Sequence, residues 1–287
     1  MGHRQRVWLS SLLLLPLWAA AQAGDSIPLI VTAKGHATYR AEVDVLIDGH
    51  RQRMILDSGA RLTSVVCDDR TVQYPALRSV ETGGAFGHSA PVDMIRPEKL
   101  EMGPLVFAGP TLERTTDRRA NNLLGIDLLS QKPFQVDLRH ARLNLVGSLT
   151  GTSGQPLRRL NSTHIAVPLK LGDGNFEALF DTGAEITVID LSVVQAYPHL
   201  FLLTRTEKGI DSTGRKLNTS IYRVDALQVG ALQLHQVEMA AFDFGEEFRG
   251  KLEGAALILG NNVIYQGRWS FDIPSLRWSV EAASPSR

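Results

Sequence analysis

The chain has 287 residues, 44% of them hydrophobic, with 30 Lys and Arg against 30 Asp and Glu. That is enough apolar material for one large domain or for two small lobes with cores of their own. The charge balance leaves no basic excess for nucleic acid and no polybasic tail for anionic lipid.

In chain order, residues 1–23 read as a secretory signal. His3, Arg4 and Arg6 form a basic start, Val7 to Trp18 is mostly apolar, and Ala21-Gln22-Ala23 fits a small-x-small cleavage site. An uncleaved membrane anchor is the alternative. The expected location is outside the cytoplasm, in a bacterial periplasm. Cleavage would remove Arg4 and Arg6, leaving 28 basic against 30 acidic residues. Cys67 is the single cysteine, so an exported chain has no internal disulfide, and this residue reads as a small buried hydrophobe.

Strand signals follow. Val43, Val45 and Ile47 alternate with Asp44, Leu46 and Asp48, and Asp48-Gly49 is a hairpin turn. The return strand ends at Ile55-Leu56 and runs into Asp57-Ser58-Gly59-Ala60. Farther on, Val167, Leu169 and Leu171 precede Gly172-Asp173-Gly174, and Leu179-Phe180 runs into Asp181-Thr182-Gly183-Ala184. The two halves align by hand. An offset of 124 places Asp57 on Asp181 and Thr63 on Thr187, and an offset of 135 places Leu123-Leu124-Gly125 on Ile258-Leu259-Gly260 and Asp137 on Asp272. Short helices are expected after Gly125 and Gly260 and over Leu191–Tyr197, with a surface loop or short helix in Phe242–Gly254. Ser148–Pro156 is rich in Gly, Ser and Thr. The expected organisation is a lobe of residues 24–150, a linker of 151–158 and a second lobe of 159–287. Trp269 and Trp278 fall in the final hairpin as packing or interface residues.

One short carboxylate per half, brought together at a pseudo-twofold axis, makes an acid/base pair, because two carboxyls in one site do not both ionise easily. His36, His50, His88, His140, His164, His199 and His235 are scattered without His-x-x-x-His or Cys pairing, so no metal site and no cofactor are expected.

These residues resemble the aspartic proteases of the retropepsin–pepsin clan. In each half the resemblance rests on the apolar pair before Asp-[Ser/Thr]-Gly-Ala and on a glycine-bearing hairpin. It rests also on Leu-x-x-Gly-x-Leu (Leu100–Leu105, Leu227–Leu232) and on an apolar-apolar-Gly-x-[Asp/Asn] motif (Leu123–Asp127, Ile258–Asn262). It covers about Ala41–Leu145 and Ile165–Val280. It implies an all-β, bilobal fold of two β-barrel lobes, like two retropepsin subunits in one chain, and hence a monomer with a polypeptide in the interlobe cleft. Asp57 and Asp181 would be the catalytic dyad of an aspartic endopeptidase. Ser58 and Thr182 would cross-link the two loops, Gly59 and Gly183 would bind substrate backbone, and Gly125 and Gly260 would support the loops from beneath. Thr82–Ala90, with Gly84, Phe86 and Gly87, would form one flap, and Asp211–Leu217, with Gly214, the other. Arg61 departs from the acidic residue often found there. Arg61 and Glu185 would lie near substrate subsites, pairing with each other or with substrate, or would be two solvated loop charges. A catalytically silent peptide-binding module with the same cleft is the alternative function, and a structural barrel pair a third. Ala60 and Ala184 offer no side-chain hydroxyl to the carboxyls, so activity is expected at mildly acidic to near-neutral pH.

Overall fold

The structure, a computed structural model, describes residues 26–35, 37–83, 89–149, 154–161, 163–210 and 216–283. The signal-like segment and the tips of both expected flaps (84–88 and 211–215) lie outside the described residues. The fold is all-β.

The first half comprises β1 (Ser26–Gly35), β2 (Thr38–Ile47), β3 (His50–Leu56), β4 (Ser64–Val66), β5 (Arg78–Gly83), β6 (Ser89–Ile95), β7 (Lys99–Met102), β8 (Leu105–Ala108), β9 (Leu112–Thr115), β10 (Leu123–Leu124), α1 (Ile126–Leu129), β11 (Phe134–Asp137) and β12 (Arg142–Leu145). The second half comprises β13 (Gln155–Pro156), β14 (Arg158–Leu160), β15 (His164–Leu171), β16 (Gly174–Phe180), β17 (Val188–Asp190), α2 (Leu191–Ala196), β18 (Leu202–Ile210), β19 (Lys216–Val229), β20 (Leu232–Phe242), α3 (Gly245–Lys251), β21 (Leu257–Leu259), α4 (Asn261–Ile264), β22 (Gly267–Asp272) and β23 (Arg277–Ala282).

The alternating pattern of β2 puts Ala41, Val43, Val45 and Ile47 in the core. Asp48 and Gly49 both take positive φ, 47° and 81°, the combination that matches the twist of a two-residue hairpin. Asp48 also accepts from the backbone of Glu98 (3.2 Å) and Lys99 (2.8 Å), which ties this turn to β7. In the second half, β15, β16, β21, β17, β20 and β19 close into a barrel through the pairing of β15 with β19. The first half follows the same path through β2, β3, β10, β4, β9 and β6, and β7 pairs β2. Where β19 runs unbroken for 14 residues, its first-half equivalent is split by Arg96-Pro97-Glu98 into β6 and β7. Likewise Gly109-Pro110 splits the equivalent of β20 into β8 and β9. Proline has no N–H to give to a ladder, so each split falls where a donor is lost.

The halves meet in a sheet ordered β13-β23-β22-β11-β12-β1. At its centre β11 and β22 pair antiparallel, with Gln135 opposite Ser270, Phe134 opposite Phe271 and Val136 opposite Trp269. Gln135 and Ser270 are equivalent at the offset of 135, so the pseudo-twofold axis passes through this pair. Gln135 Nε2 donates to Ser270 Oγ at 3.0 Å. Beneath it, Trp269 and Trp278 are fully buried and stack at 6.2 Å and 13°. Their indole N–H groups donate to Ile264 O (2.8 Å) and Pro156 O (3.1 Å), so the large rings are buried without stranded donors.

Two expectations need correction. The later part of the expected linker is ordered into strands: Gln155 and Pro156 pair with Trp278 and Arg277, and Arg158 opens β14. The backbone groups of that stretch find partners in the final hairpin, which its Gly- and Ser-rich composition does not reveal. Cys67 is half-buried rather than buried, because it lies just past the end of β4, and its N–H donates to Thr115 O at 2.8 Å.

Candidate active site

Strands β3 and β16 end in buried Leu56 and Phe180, and each next residue is an aspartate. The backbone of Asp57 donates to Leu124 O (2.9 Å) and that of Asp181 to Leu259 O (3.1 Å), which fixes both loops against β10 and β21. Tight turns follow. Asp57 Oδ1 accepts from the N–H groups of Gly59 (3.0 Å) and Ala60 (2.9 Å), and Asp181 Oδ1 accepts from Gly183 (2.8 Å). These donors orient each carboxyl and leave its second oxygen for other chemistry.

The two carboxyls share one site. A Cβ added to Gly59 would lie 2.5 and 2.6 Å from the carboxylate oxygens of Asp181. A Cβ on Gly183 would lie 2.5 and 2.6 Å from those of Asp57. Each carboxyl therefore rests against the glycine of the opposite loop, and no side chain fits there. Both aspartates are half-buried, with protein atoms packed closely around their carboxyls. Burial raises the pKa of both above the ordinary aspartate value, and repulsion from Asp181 adds to this at Asp57. The titration belongs to the pair.

Ser58 and Thr182, both 1% exposed, join the loops. Ser58 N donates to Thr182 Oγ1 (3.0 Å), Thr182 N donates to Ser58 Oγ (3.1 Å), and Ser58 Oγ donates to Phe180 O (2.8 Å). Gly125 and Gly260 sit beneath. A Cβ on Gly125 would meet Leu62 C at 2.7 Å, and one on Gly260 would meet Ile186 O at 2.5 Å. Their N–H groups donate to the buried hydroxyls of Thr63 and Thr187, each at 3.1 Å. Thr63 in turn donates through its N–H (3.0 Å) and hydroxyl (2.8 Å) to Asp127 Oδ1, and Thr187 does so to Asn262 Oδ1, both at 2.8 Å.

That last pair of contacts yields a prediction. Asn262 shows that an amide oxygen serves as well as a carboxylate in this place. Asp127 has its pKa raised, mainly by burial. A raised folded-state pKa means stability that is present below the unfolded value and lost as pH rises through the folded one. Asp127→Asn should therefore keep the fold and gain about 0.5–1 kcal/mol at pH 7 but nothing near pH 3, read by thermal unfolding at both pH values. A loss at pH 7 would contradict it.

Arg61 and Glu185 do not pair with each other. Glu185 Oε1 takes Arg40 Nη2 at 2.7 Å and Nε at 2.8 Å, while Arg61 is exposed. The strands on either side of the two expected flap tips pair, with Thr82 opposite Ala90 and Ile210 opposite Lys216. Gly84, Phe86, Gly87 and Gly214 lie outside the described residues. Four contributors carry no role in the sequence reading. His164 sits half-buried with Nε2 at 3.0 Å from Gly59 O, and its pKa is lowered by burial and by Arg61, against opposing effects of Gly59 O and Asp181. Asn261, fully buried, donates to Thr182 O (2.8 Å) and, across to β2, to Tyr39 O (2.9 Å). Glu113, 9% exposed, stands where the second half has Ala240, with its pKa raised mainly by burial. Arg40 is the fourth. The signal for Arg40 and His164 was the repeat itself, since they stand at the same offset of 124 as the aspartates.

Among the described residues no group of three His, Cys, Asp or Glu could hold a metal ion, and no helix is long and apolar enough to cross a membrane. No curated protein matches the chain. Residues 167–263, the stretch from β15 through Asp181 to α4 and about a third of the chain, match the family model described as Aspartyl protease.

Proposed function

We propose that the protein is an aspartic endopeptidase in which Asp57 and Asp181 share one proton and activate water against a peptide carbonyl. The observation that supports this most is the reciprocal seating of each carboxyl against the opposite glycine, which presents two partly desolvated acids to one cleft. In this reading the ionised carboxylate takes a proton from the attacking water, whose oxygen bonds to the carbonyl carbon. The protonated carboxyl gives its proton to the carbonyl oxygen, forming a gem-diol. One gem-diol hydroxyl then returns its proton to the dyad as the C–N bond breaks, and the dyad protonates the departing nitrogen. The pair ends as it began, holding one proton.

The same reading takes residues 24–150 and 159–287 as fused retropepsin-like lobes and the chain as an exported monomer acting on a polypeptide. Its test is digestion of a peptide mixture by the purified chain across pH 3–8, with products identified by mass spectrometry. Cleavage at internal bonds is expected. A folded chain that binds peptides and cuts none would replace this reading with a peptide-binding module. The pH profile carries its own prediction. Burial raises both carboxyl pKa values, and Ala60 and Ala184 supply only backbone donors, so the working range should be mildly acidic to near neutral. Activity confined below about pH 3.5, in the ordinary carboxylate range, would count against it.

A further inference from the structure

The offset of 124 that relates Asp57 to Asp181 also places Arg40 on His164 and Arg61 on Glu185. The two sides of the cleft are therefore built from equivalent positions with different charges. On one side Glu185 is neutralised by Arg40, with the two side chains 33% and 32% exposed. On the other side the corresponding residues are Arg61 and His164, both bases. The imidazole of His164 is engaged with Gly59 O. Arg61 is exposed and makes no ion pair or hydrogen bond among the described residues.

Two carboxyls face Arg61, and neither is placed to occupy it. Asp127 gives Oδ1 to Thr63, and Glu113 lies within strand β9, with the Thr82 hydroxyl at 3.5 Å. Burial raises the pKa of both, and at Glu113 the charge of Arg61 opposes that rise without a contact close enough to be an ion pair. Arg61 also lines a cavity of about 140 Å³ with Asp127 and Arg159, whose own guanidinium donates to Ile273 O at 3.0 Å. Among the described residues, the first-half side of the dyad thus presents a guanidinium without an ion pair or hydrogen bond, with Glu113 as its Coulombic neighbour and two further bases nearby. The opposite side presents a closed ion pair.

We propose that Arg61 is the receptor for a carboxylate of the polypeptide substrate, which makes the cleft directional for acidic peptides; this rests on the peptidase reading above. A planar guanidinium matches a carboxylate through two parallel N–H donors. The carboxylate could belong to a Glu or Asp side chain or to a peptide's C-terminus.

The test measures binding apart from cleavage, using the Asp57→Asn chain and peptides differing at one group. One set carries Glu or Gln at an internal position with the C-terminus amidated. A second keeps Gln and varies only free against amidated C-terminus. One carboxylate-bearing set should bind about five- to tenfold tighter than its neutral twin at low salt, and which set does so identifies the source. Arg61→Gln in the same chain should abolish the preference, and Arg61→Lys should restore part of it. Equal affinities for all twins, a preference that survives Arg61→Gln, or no binding of any peptide would overturn the proposal. Cleavage by the unmodified chain is read separately. An Arg61-dependent preference in a chain that never cuts would sink the peptidase reading and leave the carboxylate site standing.

Discussion

Asp57→Asn is expected to abolish peptide cleavage and, at neutral pH, to make the protein more stable. The first effect follows from the shared proton: with one carboxyl replaced by an amide, Asp181 alone cannot both accept the water's proton and supply one to the carbonyl oxygen. Loss of an acid/base partner of this kind lowers the rate by about 10²–10⁴-fold. The second effect follows from the same crowding. Asp57 is raised well above its ordinary value of 3.8, by burial first and then by Asp181. The sign is the reverse of a salt-bridged aspartate. Stability associated with this group is fully present below the unfolded value and is lost as pH rises through the folded one. Above that range the native dyad holds a partly desolvated charge that the unfolded chain would expose to water. The amide carries no charge and still offers an oxygen to the N–H groups of Gly59 and Ala60. Thermal midpoints from pH 3 to 8 should therefore coincide for parent and variant near pH 3 and diverge above it, with the variant ahead by about 1–2 kcal/mol at pH 7. Asp181→Asn should behave alike. An inactive variant with unchanged stability at every pH would mean that the carboxyls are well solvated, and the proposed dyad would lose its physical basis.

What could be seen in the sequence was whatever the duplication wrote twice. Asp57 and Asp181, their glycines, and Gly125 and Gly260 stand out because the same short pattern recurs at a nearly constant offset. The structure shows why the pattern is so narrow: a Cβ at any of these four glycines would strike a carboxylate or backbone. The hairpins were visible for a similar reason, since alternation and a turn are local. The pairing of Arg40 with Glu185 spans 145 residues and arises only when the pseudo-twofold brings the halves together. Nothing near either residue announces it. His164 has no metal-ligand spacing to the other histidines of the sequence. Its position became informative only beside Arg40, its counterpart in the other half. The splitting of β19 and β20 into shorter first-half strands was written in Pro97 and Pro110 and needed only the strand order to be understood. Strand β13 was hidden because its partner is the last hairpin of the chain, and its own composition reads as loop.

The difference between the halves bears on specificity. A homodimeric cleft presents the same charges on both sides, whereas duplication within one chain frees each side to change. Arg61 opposite Glu185, and Glu113 opposite Ala240, are changes of this kind beside an unchanged pair of aspartates. The chemistry is held symmetric by the reciprocal glycine contacts while the flanking charges diverge.

Those contacts set the last prediction. Gly59→Ala would place a methyl group 2.5 Å from an oxygen of Asp181, far inside van der Waals contact. The clash cannot be relieved by a rotamer change at alanine, and Ser58 next to it is locked by its bonds to Thr182 and Phe180. The loops must spread or the carboxyl must turn. Cleavage should fall about 100-fold or more, since displacing reacting groups by around an ångström costs that much, and stability should fall by about 1–3 kcal/mol. Gly183→Ala should do the same through Asp57. Gly250→Ala serves as the control, because nothing lies within 4 Å of its added Cβ inside α3, and it should be neutral or slightly stabilising. A double-mutant cycle separates this account from a general intolerance of the turn. Asp181→Ala removes the carboxyl atoms that the added methyl group would strike, so Gly59→Ala should cost little stability in that background and its usual amount in an Asp57→Ala background. Equal costs in the two backgrounds would mean that the glycine serves the turn of its own loop, and the reciprocal seating of the carboxyls would no longer explain why the motif is written twice.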